Sequence, residues 1–343
     1  MSALAWHEEV AGNLYRYSSP AGDETLRDAI LTKLAHKNRL TVTHDELQIT
    51  AGATHAFSCA AQAVLDPGDE VLLLAPFWPL IRGHMLAAGA RPVEVPFSLE
   101  LYQDPNADVA ALIESFVTPR TAAIYLTTPN NPDGKVVNAA QLAGIAAVAR
   151  RHHLWVLADE VYEDFIFDDP AGERPAHVSM ATLPGMAERT LTVFSFSKSY
   201  ALAGLRVGYV VGQKDIVAPL ARLLNHSIFN VPRATQRVAL AALTHGEDFL
   251  VYARQTYLGA RDLTVAKLAA MNLHFFAPEG GTYVFVDMSP HLGTAKSAVD
   301  LLEELAGQGV LLAPGSAFGS AYESWARVCY SSVPIAELGE GLD

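Results

Sequence analysis

The sequence predicts an α/β protein with a mostly parallel sheet and a second, smaller α+β unit. Strand-like and helix-like segments alternate from residue 47 to 211, which is typical of a parallel sheet with crossover helices. The pattern becomes mostly helical from about 215 to 270, and strands return after residue 280. The chain has 343 residues, enough for one large or two moderate domains.

The N-terminal part contains the predicted elements of the larger sheet. Residues 23–37 read as a helix with Leu26, Ile30, Leu31 and Leu34 on one face. Strands are predicted at 47–50, 70–75, 91–95, 122–126, 154–158, 190–194 and 209–211. Helices are predicted between them at 51–64, 80–89, 108–116 and 139–152, and the polar segment 98–108 is predicted to be a surface loop.

The pattern of the C-terminal part predicts the smaller α+β unit. Helices are expected at 216–224, 233–243 and 248–270, with a break at Asn230-Val231-Pro232. A strand at 280–287, a helix at 296–306 and strands at 310–313 and 325–330 follow. The predicted domains are therefore a large one at 40–235 and a discontinuous small one formed by 1–39 and 236–343.

Composition and charge exclude several classes of protein. Half of the residues are hydrophobic and 18% are charged, which indicates a compact globule rather than a disordered chain. The net charge of -13 argues against nucleic acid or an anionic membrane as the main partner. No apolar run is long enough to span a bilayer, and residues 1–9 lack the features of a signal peptide. Cys59 and Cys329 form no disulfide framework, so a reducing cytoplasm is expected.

One lysine stands among hydroxyl groups where the strand 190–194 ends. Ser195, Ser197 and Ser199 surround Lys198, and Arg206 follows eight residues later. A lysine in apolar surroundings loses its proton readily and becomes a nucleophilic amine. Hydroxyl and guanidinium groups are donors for a phosphate. Together they suggest pyridoxal 5′-phosphate (PLP), which a lysine binds as a Schiff base. For an isolated Ser-x-Ser-Lys, a solvated lysine on a surface loop is the plainer interpretation.

Other polar and aromatic residues also follow predicted strands, where open α/β sheets bind ligands. Asp159 suits the pyridine nitrogen of such a cofactor, although a strand-end aspartate is often a helix cap. Asn131 and Tyr162 can donate to the ring oxygen. Trp78 can stack on the ring, with core packing as the alternative.

A small-residue turn follows the strand 47–50. Ala51-Gly52-Ala53-Thr54 opens a helix, and free backbone N–H groups at a helix start bind anions. The turn contains neither a Walker sequence nor a G-x-G-x-x-G fingerprint.

These motifs occur together in an order typical of one family. The chain resembles, from about Tyr15 to its C-terminus, the fold type I PLP-dependent aminotransferases of class I/II, which include aspartate, aromatic and kynurenine aminotransferases. The matching motifs are Tyr17-x4-Gly22-x3-Leu26-Arg27, Ala51-Gly52-Ala53-Thr54, Asn131-Pro132-Asp133-Gly134, Asp159-Glu160-Val161-Tyr162, Ser195-Phe196-Ser197-Lys198 with Gly204 and Arg206-Val207-Gly208, and Arg327 in Ala326-Arg327-Val328-Cys329-Tyr330-Ser331. The resemblance implies a large domain with a mostly parallel sheet of the seven-stranded type.

The resemblance also implies a role for each matched residue around the cofactor ring. Lys198 would bind PLP and, once the substrate amine displaces it, carry the proton between Cα and C4′. Asp159 would pair with the ring nitrogen, Asn131 and Tyr162 would bind the ring hydroxyl, and Trp78 would stack on the ring.

The remaining implied contacts are with the phosphate and the substrate. Arg327, with Asn131, would bind the substrate, the arginine holding the α-carboxylate in a bidentate fork. A homodimer with a shared active site is implied, because one phosphate ligand comes from the neighbouring subunit. The implied phosphate ligands are Ala53, Thr54, Ser195, Arg206 and, from that neighbour, Tyr17.

Two departures from the family pattern concern the substrate. The family carries an N-terminal arm that covers the substrate, whereas this sequence begins almost at the first matched helix, so either its start is truncated or the pocket is unusually open. The segment 224–229 lacks the arginine that aspartate-type enzymes bring to the distal carboxylate. Neutral or aromatic amino donors, with a 2-oxo acid as acceptor, are therefore favoured over dicarboxylates.

Two other functions use the same scaffold. A PLP-dependent C–S β-lyase shares the lysine and the carboxylate, and differs in which bond at Cα is broken. A non-catalytic sensor with this fold is disfavoured because the matched residues are all present. Metal binding is not expected: His152-His153, Asp168-Asp169 and Glu303-Glu304 read as solvated surface.

Overall fold

The computed structural model describes residues 14, 16–168, 176–293, 295 and 297–343. The sequence predictions for residues 1–9, Tyr15 and Asp169 concern positions outside these ranges. Within them, no helix is both long and apolar enough to cross a membrane.

A seven-stranded sheet forms the larger part of the molecule. Its strands are β1 Leu47–Thr50, β2 Glu70–Leu74, β3 Arg91–Val95, β4 Thr121–Thr127, β5 Trp155–Asp159, β6 Thr190–Ser195 and β7 Gly208–Val211. They lie in the order β1-β7-β6-β5-β4-β2-β3, and only β7 runs antiparallel to its neighbours. The mostly parallel seven-stranded sheet is thus confirmed.

The antiparallel direction of β7 follows from its short connection to β6. Between Ser195 and Gly208 the chain forms only the one-turn helix Phe196–Ser199 and a 3₁₀ turn at Ala203–Leu205. A parallel neighbour requires a full crossover, usually a helix of several turns. The chain instead reverses beside β6, which keeps residues 196–207 at the carboxyl end of that strand.

Most of the helices lie close to their predicted positions, whereas no helix was predicted at Phe97–Gln103, Phe196–Ser199 or Ile335–Gly341. They are α1 Glu24–Lys33, α2 Gly52–Val64, α3 Pro79–Ala87, α4 Phe97–Gln103, α5 Val109–Glu114, α6 Ala139–Arg151, α7 Phe196–Ser199, α8 Lys214–Ile228, α9 Arg233–His245, α10 Glu247–Ala270, α11 Ala298–Gly307 and α12 Ile335–Gly341. Helix α1 is shorter than predicted because Leu34–Asn38 form a π-helical turn that ends at Arg39.

Both faces of the larger sheet are covered. Apolar side chains of α2, α3 and α8 pack on one face, and those of α4, α5 and α6 on the other. Helices α1 and α9 cover the edge formed by β1 and β7. This double cover explains why β2, with the sequence Glu-Val-Leu-Leu-Leu, is buried at every position.

The second sheet is antiparallel and has the order β10-β11-β9-β8. Its strands are β8 His274–Phe276, β9 Tyr283–Asp287, β10 Ala313–Pro314 and β11 Trp325–Cys329. Apolar residues of α10, α11 and α12 pack against it. The two sheets fall within the two predicted domains, whose boundaries stay a prediction.

Two sequence predictions were wrong. The segment 98–108 is not a loop throughout, because its first part belongs to α4, where Phe97 and Leu101 are buried four residues apart. The strand predicted at 310–313 is reduced to Ala313–Pro314, and Leu311 is 84% exposed. Aliphatic residues favour extended chain, but a strand also needs a hydrogen-bonded neighbour, and β11 pairs with Ala313 and Pro314.

The turn after β4 depends on the glycine at position 134. Gly134 has φ +71°, and its carbonyl oxygen accepts from the backbone of Glu279 and Gly280. A Cβ atom at Gly134 would lie 2.7 Å from the carbonyl oxygen of Gly280. The glycine therefore lets this turn lie directly against the segment that leads into β9.

Replacing Gly134 with alanine is expected to lower the free energy of unfolding by about 3 kcal/mol or more, because backbone strain and a backbone clash add. Gly68 is the matched control, since it has φ +94° but no atom within 4 Å of an added Cβ. Gly68→Ala should cost only about 1–2 kcal/mol. Urea denaturation of both variants measures the difference, and equal losses would contradict the close-contact explanation.

Candidate active site

The predicted site residues meet at one cavity of about 330 Å³ between the two sheets. The carboxyl ends of β4, β5 and β6 form one wall, and β11 of the second sheet supplies Arg327. Of the predicted residues, those that line the cavity are Ala53, Thr54, Trp78, Asn131, Asp159, Tyr162, Ser195, Lys198, Arg206 and Arg327. Tyr17 is absent from this lining.

Asp159 is a buried carboxylate at the end of β5. Its Oδ2 accepts a hydrogen bond from the Tyr125 hydroxyl at 2.9 Å, and its Oδ1 accepts one from the Val161 backbone N–H at 3.4 Å. Burial raises the pKa of Asp159 to about 7, and the Tyr125 bond and Lys198 only partly oppose this. A cationic partner inside the cavity would keep this group ionised.

Lys198 lies on the one-turn helix α7, immediately after β6. The side chain of Ser195 caps this turn by accepting from the backbone N–H of Ser197 at 3.1 Å. The backbone N–H of Phe196 donates to the carbonyl of Val207 on the returning chain. These bonds hold Lys198 at the cavity wall, where its Nζ lies 5.6 Å from the ring centroid of Tyr162.

Arg206 faces the start of helix α2. Its backbone is left-handed with φ +54°, and its Nη1 donates to the carbonyl of Ala203 at 2.8 Å. A Cβ at Gly52 would lie 2.6 Å from Nη2 of Arg206, so only glycine allows this approach. Ala51 is the N-cap residue of α2, and its side chain accepts no hydrogen bond from the backbone of the helix. Free N–H groups, the helix dipole and a guanidinium thus face one point, as an anion requires.

Arg327 is held between aromatic rings and an amide. Its guanidinium lies 4.2 Å from the ring centroid of Tyr283 and 5.0 Å from that of Phe318. Its Nη1 donates to Oδ1 of Asn131 at 3.0 Å, while its buried Nε has no hydrogen-bond partner among the described residues. The group therefore keeps donors for a planar anion such as a carboxylate.

Hydrogen bonds of Asn130 and Asp133 fix the turn that carries Asn131. Asp133 is completely buried and accepts hydrogen bonds from the side chain of Asn130 at 2.9 Å and from the backbone of Lys135 at 3.1 Å. Asn130 also donates to the carbonyl of Pro76 at 2.9 Å, which joins this turn to the segment preceding Trp78.

The segment after Asp159 is anchored by buried charges. Glu160 accepts from His177, Ser179 and the backbone of Met180. Burial alone lowers the pKa of His177, but the Glu160 carboxylate raises it above its ordinary value.

Glu163, at the other end of this turn, pairs with Lys33 of helix α1 and accepts from the Asn38 amide at 2.6 Å. Burial raises the pKa of Glu163, but the nearby lysines outweigh burial and lower it to about 2. The turn that follows Asp159 and contains Tyr162 is therefore anchored at both ends, by Glu160 and by Glu163.

Trp78 and Tyr17 differ in position. Trp78 precedes helix α3 and lies against Phe57 at 6.4 Å between ring centroids, at the cavity wall. Tyr17 is 80% exposed and packs edge-on against Phe229 at 4.8 Å. The role of Tyr17 in a neighbouring subunit stays a prediction.

Sequence reasoning missed several residues of the site. Tyr125 contacts Asp159 from the adjacent strand, and Tyr283 and Phe318 contact Arg327. The cavity is also lined by Val161, Ser197 and Ala203. A tyrosine beside the aliphatic residues of strand β4 was the available signal for Tyr125, because a buried hydroxyl needs a partner.

The cavity suits a cofactor with a cationic ring and a phosphate. A cation would stabilise the buried Asp159 carboxylate, and an anion would be stabilised between the Arg206 guanidinium and the start of α2. Lys198 lies in the same cavity and supplies an amine. PLP combines a pyridine nitrogen, an aldehyde and a phosphate, and so matches these three features. Among the described residues, no group of three or more His, Cys, Asp or Glu side chains is placed to hold a metal ion.

Comparisons with known proteins agree with this arrangement. Residues 4–343 match the sequence profile described as aminotransferase class I and II. A probable aspartate/prephenate aminotransferase of Thermus aquaticus is 35% identical over 89% of this chain and 77% of the relative. An arginine–pyruvate transaminase of Pseudomonas aeruginosa is 37% identical over 90% of this chain and 76% of the relative. The structure of an aromatic aminotransferase from Pyrococcus horikoshii superposes with a TM-score of 0.89 at 31% identity, covering 98% of this chain and 88% of the other.

The burial of Asp159 predicts a pH-dependent stability of the cofactor-free protein. The folded pKa of about 7 exceeds the ordinary value of 3.8, so the folded state holds a proton that the unfolded state has released. Stability is therefore lost as the pH rises from about 4 to about 7. Asp159→Asn removes this loss, so the wild-type protein should lose about 2–3 kcal/mol relative to the variant between pH 5 and pH 8.

Urea denaturation of both cofactor-free proteins at the two pH values gives this difference. Asp45→Asn is the control, because Asp45 is an exposed carboxylate paired with Lys214. A wild-type minus Asp159→Asn difference that is equal at pH 5 and pH 8 would contradict the prediction.

Proposed function

The chain belongs to the class I and II aminotransferases, whose members use PLP, and we propose that it transfers the amino group of a neutral or aromatic L-amino acid to a 2-oxo acid through Lys198. The observation that carries this proposal is the meeting of four charged groups in one cavity: Lys198, Asp159, Arg206 and Arg327. Each matches one group of the cofactor or the substrate.

PLP supplies an electron-accepting ring that labilises the bonds at the substrate Cα. The protein groups keep that ring in its accepting form. In this proposal Asp159 is ionised by its pairing with the ring nitrogen, which overcomes the burial cost that raises its pKa to about 7. Asn131 and Tyr162 would donate to the ring oxygen, and Trp78 would cover one face of the ring.

The phosphate is held by the start of α2 and the reversal after β6. The backbone of Ala53 and Thr54, the hydroxyl of Ser195 and the guanidinium of Arg206 are the proposed donors. The left-handed backbone of Arg206 and the absence of a side chain at Gly52 set the distance between guanidinium and helix. This clamp would hold the cofactor through its phosphate.

Arg327 and Lys198 act on the substrate. Arg327, with Asn131 beside it, binds the α-carboxylate and so fixes the direction of the Cα–H bond. The Lys198 amine would take the proton from Cα and return it on the cofactor side. Hydrolysis by one water molecule would then release the 2-oxo product and leave the amino group on the cofactor, and a 2-oxo acid acceptor would take up that group by the reverse sequence.

The neutral or aromatic preference is supported by the charges of the cavity. Among the described residues that line it, the charged side chains are the four already assigned. They leave no further cation for a second carboxylate and no further carboxylate for a cationic side chain. Burying an unpaired charge is costly, whereas Trp78, Val161 and Tyr283 offer apolar contact.

We further propose a homodimer in which Tyr17 contributes to the neighbouring subunit. Tyr17 is 80% exposed and is not among the residues that line the cavity of its own subunit, which fits a residue that contacts a partner subunit.

Lys198→Ala is expected to lower transamination at least about a thousandfold, because both the covalent link and the proton carrier are lost. The wild-type protein loaded with PLP should show an absorbance band near the visible edge. Borohydride should abolish this band and fix the cofactor covalently to the protein. The variant should release its cofactor on gel filtration. Lys214→Ala is the control, because Lys214 is exposed and pairs with Asp45. Retained transamination in Lys198→Ala would contradict the mechanism.

Half-reaction rates across amino acids test the substrate preference. Phenylalanine, methionine and alanine should react with the loaded enzyme at least about tenfold faster, in second-order rate constant, than aspartate, glutamate or arginine. A faster reaction with any charged donor would overturn the preference while leaving the aminotransferase reading intact.

The same preparation separates transamination from the C–S lyase reaction. Pyruvate and ammonia formed from cystathionine without a 2-oxo acid would identify β-elimination as the reaction. We expect no such products, and amino transfer that depends on added 2-oxo acid.

A further inference from the structure

Tyr283 lies where the second sheet comes closest to the turn after β5. Gly281 donates its backbone N–H to the carbonyl of Phe165 at 2.7 Å. A Cβ at Gly280 would lie 2.6 Å from that same carbonyl oxygen, so the two segments approach closely only because glycine is present. This approach sets Tyr283, the first residue of β9, beside Tyr162.

The two tyrosines share a hydrogen bond. Their hydroxyl oxygens are 3.2 Å apart, and the rings meet edge-on at 6.0 Å between centroids. Both residues are buried, with 2% of Tyr162 and 8% of Tyr283 exposed. Burial raises the pKa of Tyr162 well above its ordinary value, so it stays protonated and acts as a donor. Two hydroxyl groups that share one hydrogen bond leave a second proton free for the cavity.

Tyr283 also touches the proposed carboxylate-binding group. The Arg327 guanidinium lies 4.2 Å from the Tyr283 ring centroid, a cation–π contact. The charge of Arg327 acts on Tyr162 as well, where it opposes the effect of burial on the pKa. One side chain therefore connects the group proposed to bind the substrate with the group proposed to bind the ring oxygen.

We propose that Tyr283 is a positioning residue that couples carboxylate binding at Arg327 to the hydroxyl donation of Tyr162. This inference rests on the proposed function. In this structure the Tyr162 hydroxyl donates to the Tyr283 hydroxyl. Hydroxyl hydrogens rotate to suit their partners, so with the cofactor bound Tyr283 would donate to Tyr162, and Tyr162 would donate to the cofactor ring oxygen. Hydrogen bonds in series strengthen one another, so Tyr283 makes Tyr162 the better donor.

Arg327 sets the strength of this pair. A positive charge over the ring of Tyr283 makes its hydroxyl a stronger donor, and a carboxylate bound to Arg327 offsets that charge. Binding of the substrate carboxylate therefore changes the strength of the hydrogen bond at the ring oxygen, and the two tyrosine hydroxyl groups transmit this change. The charged and titratable groups that face the pair come from several elements. They are Asp159 from β5, Lys198 from α7, Tyr257 from α10, Arg327 and Cys329 from β11, and the Tyr330 phenol that follows β11.

The first experiment is a pH titration of the holoenzyme absorbance band for the wild type, Tyr283→Phe, Tyr162→Phe and the double variant. The ring oxygen carries its largest negative charge in the deprotonated form of the bound cofactor, so a weaker donor raises the pH midpoint. Tyr283→Phe should raise the midpoint by roughly half to one pH unit. It should add nothing in the Tyr162→Phe background, because it acts through Tyr162.

Tyr330→Phe is the matched control. Tyr330 is another buried tyrosine of this unit, and its hydroxyl donates to the carbonyl of Gly281 at 3.0 Å, outside the cavity lining. Its loss should lower thermal stability as Tyr283→Phe does, yet leave the midpoint unchanged. A midpoint shift of equal size in Tyr330→Phe would show that Tyr283 has only a structural role.

The second experiment separates the ring of Tyr283 from its hydroxyl. The probe is 3-phenylpropionate, a carboxylate without an amino group. It should raise the midpoint of the wild-type enzyme and raise that of Tyr283→Phe by less. Its dissociation constant should be nearly unchanged in Tyr283→Phe, which keeps the ring face, and about two- to fivefold weaker in Tyr283→Leu, which loses it.

Three results would overturn the proposal: an unchanged midpoint in Tyr283→Phe, a shift as large in the Tyr162→Phe background as in the wild type, or a shift of equal size in Tyr330→Phe. A wild-type protein without any cofactor absorbance band would instead refute the proposed function. The failures of the two proposals are thereby distinguishable.

Discussion

Asp159 places a carboxylate at the end of a buried strand, with a tyrosine hydroxyl and one backbone N–H as its hydrogen-bond donors. Burying a carboxylate without a cation costs free energy, as the pKa of about 7 records. Stability alone does not account for such a group. In the proposed function, a ring nitrogen that gains a proton beside Asp159 would offset this cost, so that the cofactor and the carboxylate would stabilise each other. The other residues that line the cavity lie around this carboxylate.

The turn after Asp159 shows how the structure holds that carboxylate in place. Glu160 and Glu163 are also buried, but each has several donors of its own from distant parts of the chain. Glu163 is joined to helix α1, and Glu160 to the segment 177–180. The charges that support the turn are paired, whereas the charge that faces the cavity is left for a ligand. This contrast separates the structural acids from the functional one.

The two sheets contribute different groups to the site. The larger sheet supplies the amine, the carboxylate and the anion cradle at the ends of β5 and β6 and the start of α2. The second sheet supplies Arg327 and Tyr283, and the close glycine contacts at Gly134 and Gly280 fix its distance from the first. Those contacts tolerate no side chain, so the spacing between the cofactor groups and the substrate groups is set by backbone rather than by flexible side chains.

The sequence by itself determined the fold class, the order of the strands along the chain, and the residues Lys198, Asp159, Asn131 and Arg206 as candidates. It did so because a strand end, a small-residue turn and a lysine flanked by hydroxyl groups are formed by neighbouring residues and can be recognised in the sequence. The tertiary structure decided which distant groups meet: Tyr125 with Asp159 across 34 residues, and Asn131 with Arg327 across 196. Sheet order and sheet-to-sheet contact produce these pairs, and neither has a local signature. For the same reason Tyr283, which reads in the sequence as an ordinary strand residue, gained its place in the site only from the packing of one sheet against the other.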